Sequence, residues 1–447
     1  MTSTARSWKP YPAYKDSGVE WLGKVPEHWE MKKVKWIFKV INGSTPKTGS
    51  SEYWDGDITW VTPDDLGQLH SDTIYESARK ITESGYKNCG TTLVPAGSLI
   101  LSTRAPIGHL AIAGTDLCTN QGCRALVFKH SDITRYFYYQ LLIAHSELES
   151  WGQGSTFREL SKSKLESIEL VSTQIEEQRA IALYLDDRTQ KIDSLIEKKQ
   201  KLIELLKEER AAVINQAVTK GLDPGAPMRD SGVEWLGEVP KHWEVKKIKH
   251  ISNIISKGTT PSTIGKDVKD SGRIRFLKAE NINKNQISFS LGYFIDDETN
   301  NILKRSQLKE NDILFVIAGA TIGKVAILKI EHLPANTNQA VSFIRLNNFG
   351  NVKFTWFWLQ STRINELTWL DAVQSAQPNL SMERLGNFNI PYPQLEEQKE
   401  IVNFIESETA RIDHTITKIE KEIELLQEYR TALISEVVTG KIDVRDD

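Results

Sequence analysis

A chain of 447 residues, 39% hydrophobic and 26% charged, is too apolar to stay disordered and too long for one hydrophobic core, so about three domains of roughly 150 residues are expected. Its 56 Lys and Arg nearly balance 59 Asp and Glu, for a formal net charge of -3. That balance argues against a tail-driven polyanion binder but says nothing about where the charges sit. Cys89, Cys118 and Cys123 cannot all join a disulfide framework and fit idle or buried thiols in a reducing compartment. The Cys118-x4-Cys123 spacing with His109 nearby matches no zinc pattern, so no metal is expected. The first residues lack the apolar core of a signal peptide and no run approaches the roughly 18 apolar residues of a bilayer span. A cytoplasmic protein without a membrane partner is expected.

The chain is written twice. Asp16–Gly23 reads DSGVEWLG, and the same eight residues return at Asp230–Gly237, an offset of 214. KVPEHWEMKKVKWI from Lys24 is answered by EVPKHWEVKKIKHI from Glu238. Trp21, Trp29, Trp235 and Trp243 lie in this repeated phrase and read as anchors that dock it rather than as base-stacking residues. A variable segment follows, Lys24 to Ser172, in which short β-branched runs such as GDITWVTP from Gly56 and GSLILSTR from Gly97 predict strands. A helix is predicted at about Tyr136 to Ser150, giving an α+β domain.

Next comes TQIEEQRAIALYLDD from Thr173, later answered by PQLEEQKEIVNFIES from Pro393 at an offset of 220. A continuous helix is predicted from about Glu176 to Ala217, roughly 60 Å long. Apolar residues step by alternating fours and threes through Leu185, Ile192, Ile196, Ile203, Leu206 and Val213. The second copy repeats the register with Ile405, Ile412, Ile416, Ile419, Ile423, Leu426 and Leu433. This is a coiled-coil seam, and polar residues recur in it at matched places, Thr189 with Thr409 and Arg210 with Arg430. After the first helix a Pro/Gly linker from Gly221 leads into the second phrase, and a second α+β segment runs from Glu238 to Tyr392, with a helix at about Phe354 to Leu370. Residues 1–172 are therefore read as a first variable domain with the shared phrase, 173–220 as a central helix, 221–392 as linker, phrase and second variable domain, and 393–447 as a C-terminal helix. A period of half the chain means domain duplication rather than a solenoid. The expected architecture is two similar α+β domains separated by two long helices in an antiparallel coiled coil, in a pseudo-twofold, circular arrangement.

The combination of YKDSGVEWLG at Tyr14–Gly23, its second copy ending at Gly237, and the QxEEQ helices at Gln174 and Gln394 resembles the specificity subunit of Type I restriction-modification enzymes over nearly the whole chain. The resemblance implies that each variable domain is a target recognition domain reading one half of a bipartite double-stranded DNA site. The helices would then set the spacer and dock two modification subunits. It also implies that S-adenosylmethionine, ATP and Mg are used by partner modification and restriction subunits, with no cofactor and no catalytic residue in this chain.

The alternative is a self-contained DNA methyltransferase or nuclease with tandem recognition domains, and three look-alike motifs bear on it. Asn389-Ile-Pro-Tyr392 approximates an adenine-gripping loop but has Ile390 where a proline belongs, and no glycine-rich cofactor loop accompanies it. Gly319-Ala-Thr-Ile-Gly-Lys324 is one residue short of a P-loop, with Val325 at the magnesium-binding position. Pro63-Asp64-Asp65 lacks a following Glu-x-Lys and reads as loop acids.

Duplex binding needs Lys and Arg for phosphates and polar side chains for base edges. From Glu238 to Tyr392 there are 20 Lys and Arg against 14 Asp and Glu; from Lys24 to Ser172 there are 16 against 17, so only the second domain is basic by count. Candidate DNA contacts are Lys47, Arg104, Asn120, Gln121, Gln153, Ser155, Thr156 and Arg158 in the first domain, and Lys257, Lys278, Asn281, Asn338, Gln339, Gln374, Gln377 and Asn379 in the second. Asn120-Gln121 and Asn338-Gln339 recur in both halves, which favours a shared structural or phosphate role over base discrimination.

Overall fold

The computed structural model describes residues 9–129, 133–152, 159–347, 350–372 and 379–445. It divides into two compact units, Met1–Lys199 with Lys421–Asp447, and Gln200–Glu420. The division cuts each long helix near its middle. The physical reason is that each half-helix buries its apolar stripe in the unit where its neighbours lie.

In the first unit, β1 (Phe38–Asn42), β2 (Thr73–Ile74), β3 (Leu99–Ser102), β4 (Leu110–Ala113) and β5 (Cys123–Phe128) form one sheet in the order β1-β5-β3-β4-β2. All neighbours are antiparallel except β2 and β4. The period-2 pleat explains the unbroken apolar run Leu99-Ile-Leu101: Leu99 and Leu101 pack with Tyr136 and Phe137 of α1 (Thr134–Ile143), while Ile100 joins a second cluster with Ala111 and Ala125. The strand before the domain, Glu30–Lys33, pairs antiparallel with the strand after it, Glu169–Ser172, so the domain is cinched at its base.

In the second unit, β6 (Ser252–Lys257), β7 (Ile313–Val316), β8 (Val325–Ile327) and β9 (Val341–Leu346) repeat four of those five strands in the order β6-β9-β7-β8. The alternation recurs, with Ile313 and Phe315 facing Phe354 and Trp358 of α3 (Val352–Leu359), and Leu314 and Val316 facing the other way. Each domain also carries a small three-stranded sheet with one parallel pair, Cys118–Thr119 beside Trp54–Val61, and Ala335–Thr337 beside Ile274–Leu277. At the base, Glu244–Lys247 pairs with Asn389–Tyr392. The two variable segments thus share a topology that their sequences do not display.

The long helices are α2 (Ile175–Lys220), of 46 residues, and α4 (Leu395–Val438), of 44. α2 begins one residue earlier and ends three later than the periodicity predicted. Both start at a repeated glutamine lock: Gln178 donates to the Thr173 carbonyl (2.9 Å) and accepts from the Ile133 N–H (3.3 Å), and Gln398 donates to the Pro393 carbonyl (2.9 Å) and accepts from the Asn351 N–H (3.0 Å). In the first unit Asp193 pairs with Arg430 (2.9 Å) while Lys199 pairs with Glu422, so the two helix segments run antiparallel. In the second, Arg210 pairs with Asp413 (3.1 Å), and Ile214 and Val218 pack in one cluster with Ile401 and Ile405, which again requires antiparallel segments. The predicted seam is the buried stripe. Leu185, Ile192, Ile203, Leu206, Ile405, Ile412 and Ile419 are buried, and Ile196, Ile416, Ile423 and Leu426 are half-buried. No described helix is long and apolar enough to cross a membrane.

The repeated sequence blocks meet each other. His28 lies 2.9 Å from the Glu177 carboxylate and His242 lies 3.0 Å from that of Glu397, while the Trp243 indole N–H donates to Glu397 (2.9 Å). Trp29 and Trp243 are among the most deeply buried side chains, as anchors should be. Burial alone would raise the Glu177 carboxyl, but hydrogen bonds from Thr173 and His28 outweigh it and hold the group below its ordinary value. Within the phrase, the Asp16 carboxylate accepts from the Gly18 N–H and Asp230 from Gly232, both at 2.9 Å, in a turn whose positive φ of 74° at each glycine disfavours any other residue.

Candidate nucleic-acid interface

Two loops meet at one edge of each variable domain, and they meet in the same way. After β1 the loop Gly43-Ser-Thr-Pro46 lies against the turn Asn120-Gln-Gly122. Ser44 N–H donates to the Thr119 carbonyl (3.0 Å), and a Cβ on Gly43 would stand 2.0 Å from the Asn120 carbonyl oxygen. After β6 the loop Gly258-Thr-Thr-Pro261 lies against Asn338-Gln-Ala340. Gly258 N–H donates to the Asn338 carbonyl (3.1 Å), and a Cβ there would stand 1.7 Å from the Thr337 carbonyl oxygen. Only glycine permits that approach.

The repeated Asn-Gln pair splits into two jobs. Asn120 Oδ1 accepts the Gly122 N–H (2.8 Å) and Asn338 Oδ1 accepts the Ala340 N–H (3.1 Å), so both asparagines shape the turn. Both glutamines are exposed. The Thr45 hydroxyl donates to Gln121 Oε1 and the Thr260 hydroxyl to Gln339 Oε1, joining the loops a second time at the surface.

The remaining candidates scatter. Lys47 is exposed just beyond the first loop and Lys257 half-buried just before the second. Arg104 is tied to Glu159 (3.1 Å) and Lys278 lies over the Tyr293 ring, 3.4 Å from its centroid. Asn379 is exposed and bridges by its backbone to Ala318. Asn281 corrects the expectation of a DNA contact: it is 2% exposed, its oxygen accepts the Lys278 N–H (2.9 Å), and its amide donates to the Ser288 and Leu291 carbonyls, so it shapes a loop from inside. Gln153, Ser155, Thr156, Arg158, Gln374 and Gln377 lie outside the described residues.

Sequence reasoning missed two aromatic-basic pairs. Arg79 stacks on Trp54, 3.6 Å from the ring centroid, and Arg275 stacks on the exposed Phe289 at 4.1 Å. The aromatic run of Phe289, Tyr293 and Phe294 was the available signal for the second, although the cations that meet it, Arg275 and Lys278, come from earlier in the chain.

The enzyme look-alikes have structural work. Asn389–Tyr392 is the outgoing base strand, and Gly319–Lys324 is the turn between β7 and β8. Asp65 closes a capping box with Thr62 at a short helix start. Cys118 and Cys123 are buried, and burial pushes the Cys118 thiol up to about 11.

Each variable domain makes an ion pair with the helix of its own unit, partly buried in the first and exposed in the second. Arg135 on α1 donates to Asp186 on α2 (2.8 Å) and also pairs with Asp72, while Tyr139 donates to Asp186 (2.7 Å) and contacts the seam residue Thr189 (3.1 Å). Burial would raise the Asp72 carboxyl, but Arg135 holds it below its ordinary value. In the second unit, Lys353 on α3 pairs with Glu406 on α4 at 2.6 Å. The first pair floors a polar cleft of about 890 Å³ that also takes in Asp193, Glu197 and Arg430. Away from the seam a second set of apolar residues is exposed: Leu195, Leu202, Leu205, Leu425 and Tyr429. Leu205 and Leu425 occupy matched positions and are 48% and 50% exposed.

A family model described as Type I restriction modification DNA specificity domain matches twice, at residues 26–205 and 240–425. The MjaIX specificity subunit of a Type I restriction enzyme from Methanocaldococcus jannaschii is 29% identical over 433 residues, covering 95% of this chain and 96% of that protein. The EcoBI specificity subunit of Escherichia coli is 26% identical over 73% of this chain and 69% of its own. Among solved structures, a chain from work on complex assembly and conformational transition of the type I R-M system superposes with a TM-score of 0.72 at 12% identity, over 94% of this chain and 99% of that one. The HsdS subunit from Thermoanaerobacter tengcongensis superposes with a TM-score of 0.55 at 14% identity, over 94% and 98%. At these identities the structural likeness speaks for the fold.

Proposed function

The chain belongs to the Type I restriction-modification DNA specificity family, and from that premise we propose that its two variable domains each read one half of a bipartite double-stranded DNA site. The observation that carries this reading is one frame used twice with different surfaces: the same four-strand core order and the same paired loops carry unlike side chains around them. A protein that needs two different half-sites held in one geometry requires that combination of constant frame and variable surface.

The helices set the spacer between half-sites and dock two modification subunits. Anchoring of each domain to a helix by the buried glutamines Gln178 and Gln398, with Arg135–Asp186 added in the first unit, supports a fixed spacing, because a strut is useful only if the readers cannot swivel on it. The exposed set Leu195, Leu202, Leu205, Leu425 and Tyr429 supports docking, since apolar residues left outside a seam are suited to further helices. Methyl transfer from S-adenosylmethionine then belongs to the modification subunits, and ATP- and Mg-dependent cleavage to restriction subunits. This chain itself acts as a non-catalytic cytoplasmic reader. A gel-shift titration with genomic fragments, with and without a co-expressed modification subunit, tests the assignment. Sequence-specific retention that strengthens with the modification subunit is expected, and methyl transfer by the isolated chain would overturn it.

A further inference from the structure

We propose that Gln121 and Gln339 are a matched pair of DNA-backbone contacts, each held outward by a threonine of the neighbouring loop, so that both readers seat on phosphate in the same register whatever bases they read. The assignment rests on the DNA-reading function proposed above.

Its starting point is a repetition that stability does not require. The two loops are already latched in each domain by backbone bonds, Ser44 to Thr119 and Gly258 to Asn338, and by a close approach that only glycine allows. The side-chain bonds Thr45–Gln121 and Thr260–Gln339 are added on the exposed side of those latches. An exposed side-chain hydrogen bond contributes little to folding because water competes for both partners. Yet this one is rebuilt, with the same donor and acceptor atoms, in two domains whose surrounding surfaces have diverged.

What is constant between two readers of different sequence is the sugar-phosphate backbone, which carries no sequence information and fixes orientation. The geometry suits that ligand. With Oε1 accepting from the threonine hydroxyl, the group each exposed glutamine can offer a ligand is its Nε2 donor pair, and a neutral donor is a common phosphate partner. Lys47 directly follows the first loop and Lys257 directly precedes the second, so each loop has a cation next to it in the chain to supply the charge that a phosphate site needs. The threonines are positioning residues: they act through the glutamines.

A charge series at the glutamines separates this role from loop bracing. Glutamate keeps the oxygen that accepts from threonine, so a purely structural pair tolerates Gln121→Glu with Gln339→Glu, whereas a phosphate contact is reversed into repulsion. Binding of the full chain, with a co-expressed modification subunit, is measured against its target duplex and a scrambled duplex, alongside thermal unfolding. The double glutamate variant is expected to lose roughly a hundredfold in affinity on both duplexes, the double alanine variant roughly tenfold, and Gln121→Lys with Gln339→Lys to match or exceed the native chain. Target-to-scrambled ratio and unfolding midpoint should stay unchanged in all three, and Thr45→Val with Thr260→Val should fall between native and alanine. Native affinity in the glutamate variant would overturn the proposal, and so would a loss confined to the target duplex, which marks base reading. If the unsubstituted chain itself bound neither duplex, the DNA-reading function would fall first and this assignment with it.

Discussion

Lengthening one strut should move the half-sites apart without changing them. Inserting four residues of helix-forming sequence after Gln200 adds one turn where the two compact units divide. At 1.5 Å per residue the insertion is worth about 6 Å, on a helix that is about 69 Å long from its 46 residues. The rise of duplex DNA is about 3.4 Å per base pair, so 6 Å corresponds to between one and two base pairs. The uninserted helix resists part of the extension, which places the expected change at the lower end. Four residues are a stutter in the seam, which turns the stripe of Leu185 and Ile192 relative to that of Ile203 and Leu206 by about 40° and locally unwinds the coil, a smaller offset than one, two or five residues would give. Mapping methylated adenines in the genome of cells that express the variant with a modification subunit reads the spacer directly. The same two half-sites separated by one or two more unread base pairs are expected. Unchanged spacing, with methylation at native level, would refute the strut as a ruler.

Three further outcomes follow from the geometry. Gly258→Ala puts a Cβ into the Thr337 carbonyl and should cost about 3 kcal/mol or more in the second variable domain, seen as an early transition in calorimetry; native unfolding would contradict the close approach. Glu177 is held below its ordinary 4.5, so its contribution is present above that value and is lost as pH falls through the lowered one. Glu177→Gln should therefore lower the unfolding midpoint at pH 7 and narrow its gap from the native chain toward pH 3. Removing Arg135 as Arg135→Ala leaves Asp72 and Asp186 facing each other without their cation and should destabilise the first unit by about 1 to 3 kcal/mol, while Arg135→Lys should recover part of that loss.

The helices were legible because their information is local: alternating steps of three and four write the seam through Leu185 to Ala217, and the structure buries that stripe. The repeated tryptophans were legible for a related reason, since a large side chain kept at the same place in two halves needs a pocket. The sheets were not, because β1 pairs with β5 some 85 residues away and three of the small-sheet strands are only two residues long. Composition marked Asn281 as a surface reader, whereas its three internal hydrogen bonds turn it inward. Asn120-Gln121 was visible as a repeat, but the division between a turn-forming asparagine and an outward glutamine depends on Thr45, which only the fold brings to it.

Exchange of one reader tests the central claim most directly. Residues 238–392 are replaced by the corresponding domain of another family member, with both long helices and the first variable domain kept, and the methylated motif is mapped genome-wide in cells that carry the modification subunit. The account predicts a bipartite motif in which one half changes and the other half and the spacer stay the same. A motif altered in both halves, or one continuous site with no unread spacer, would contradict two independent readers on a shared strut.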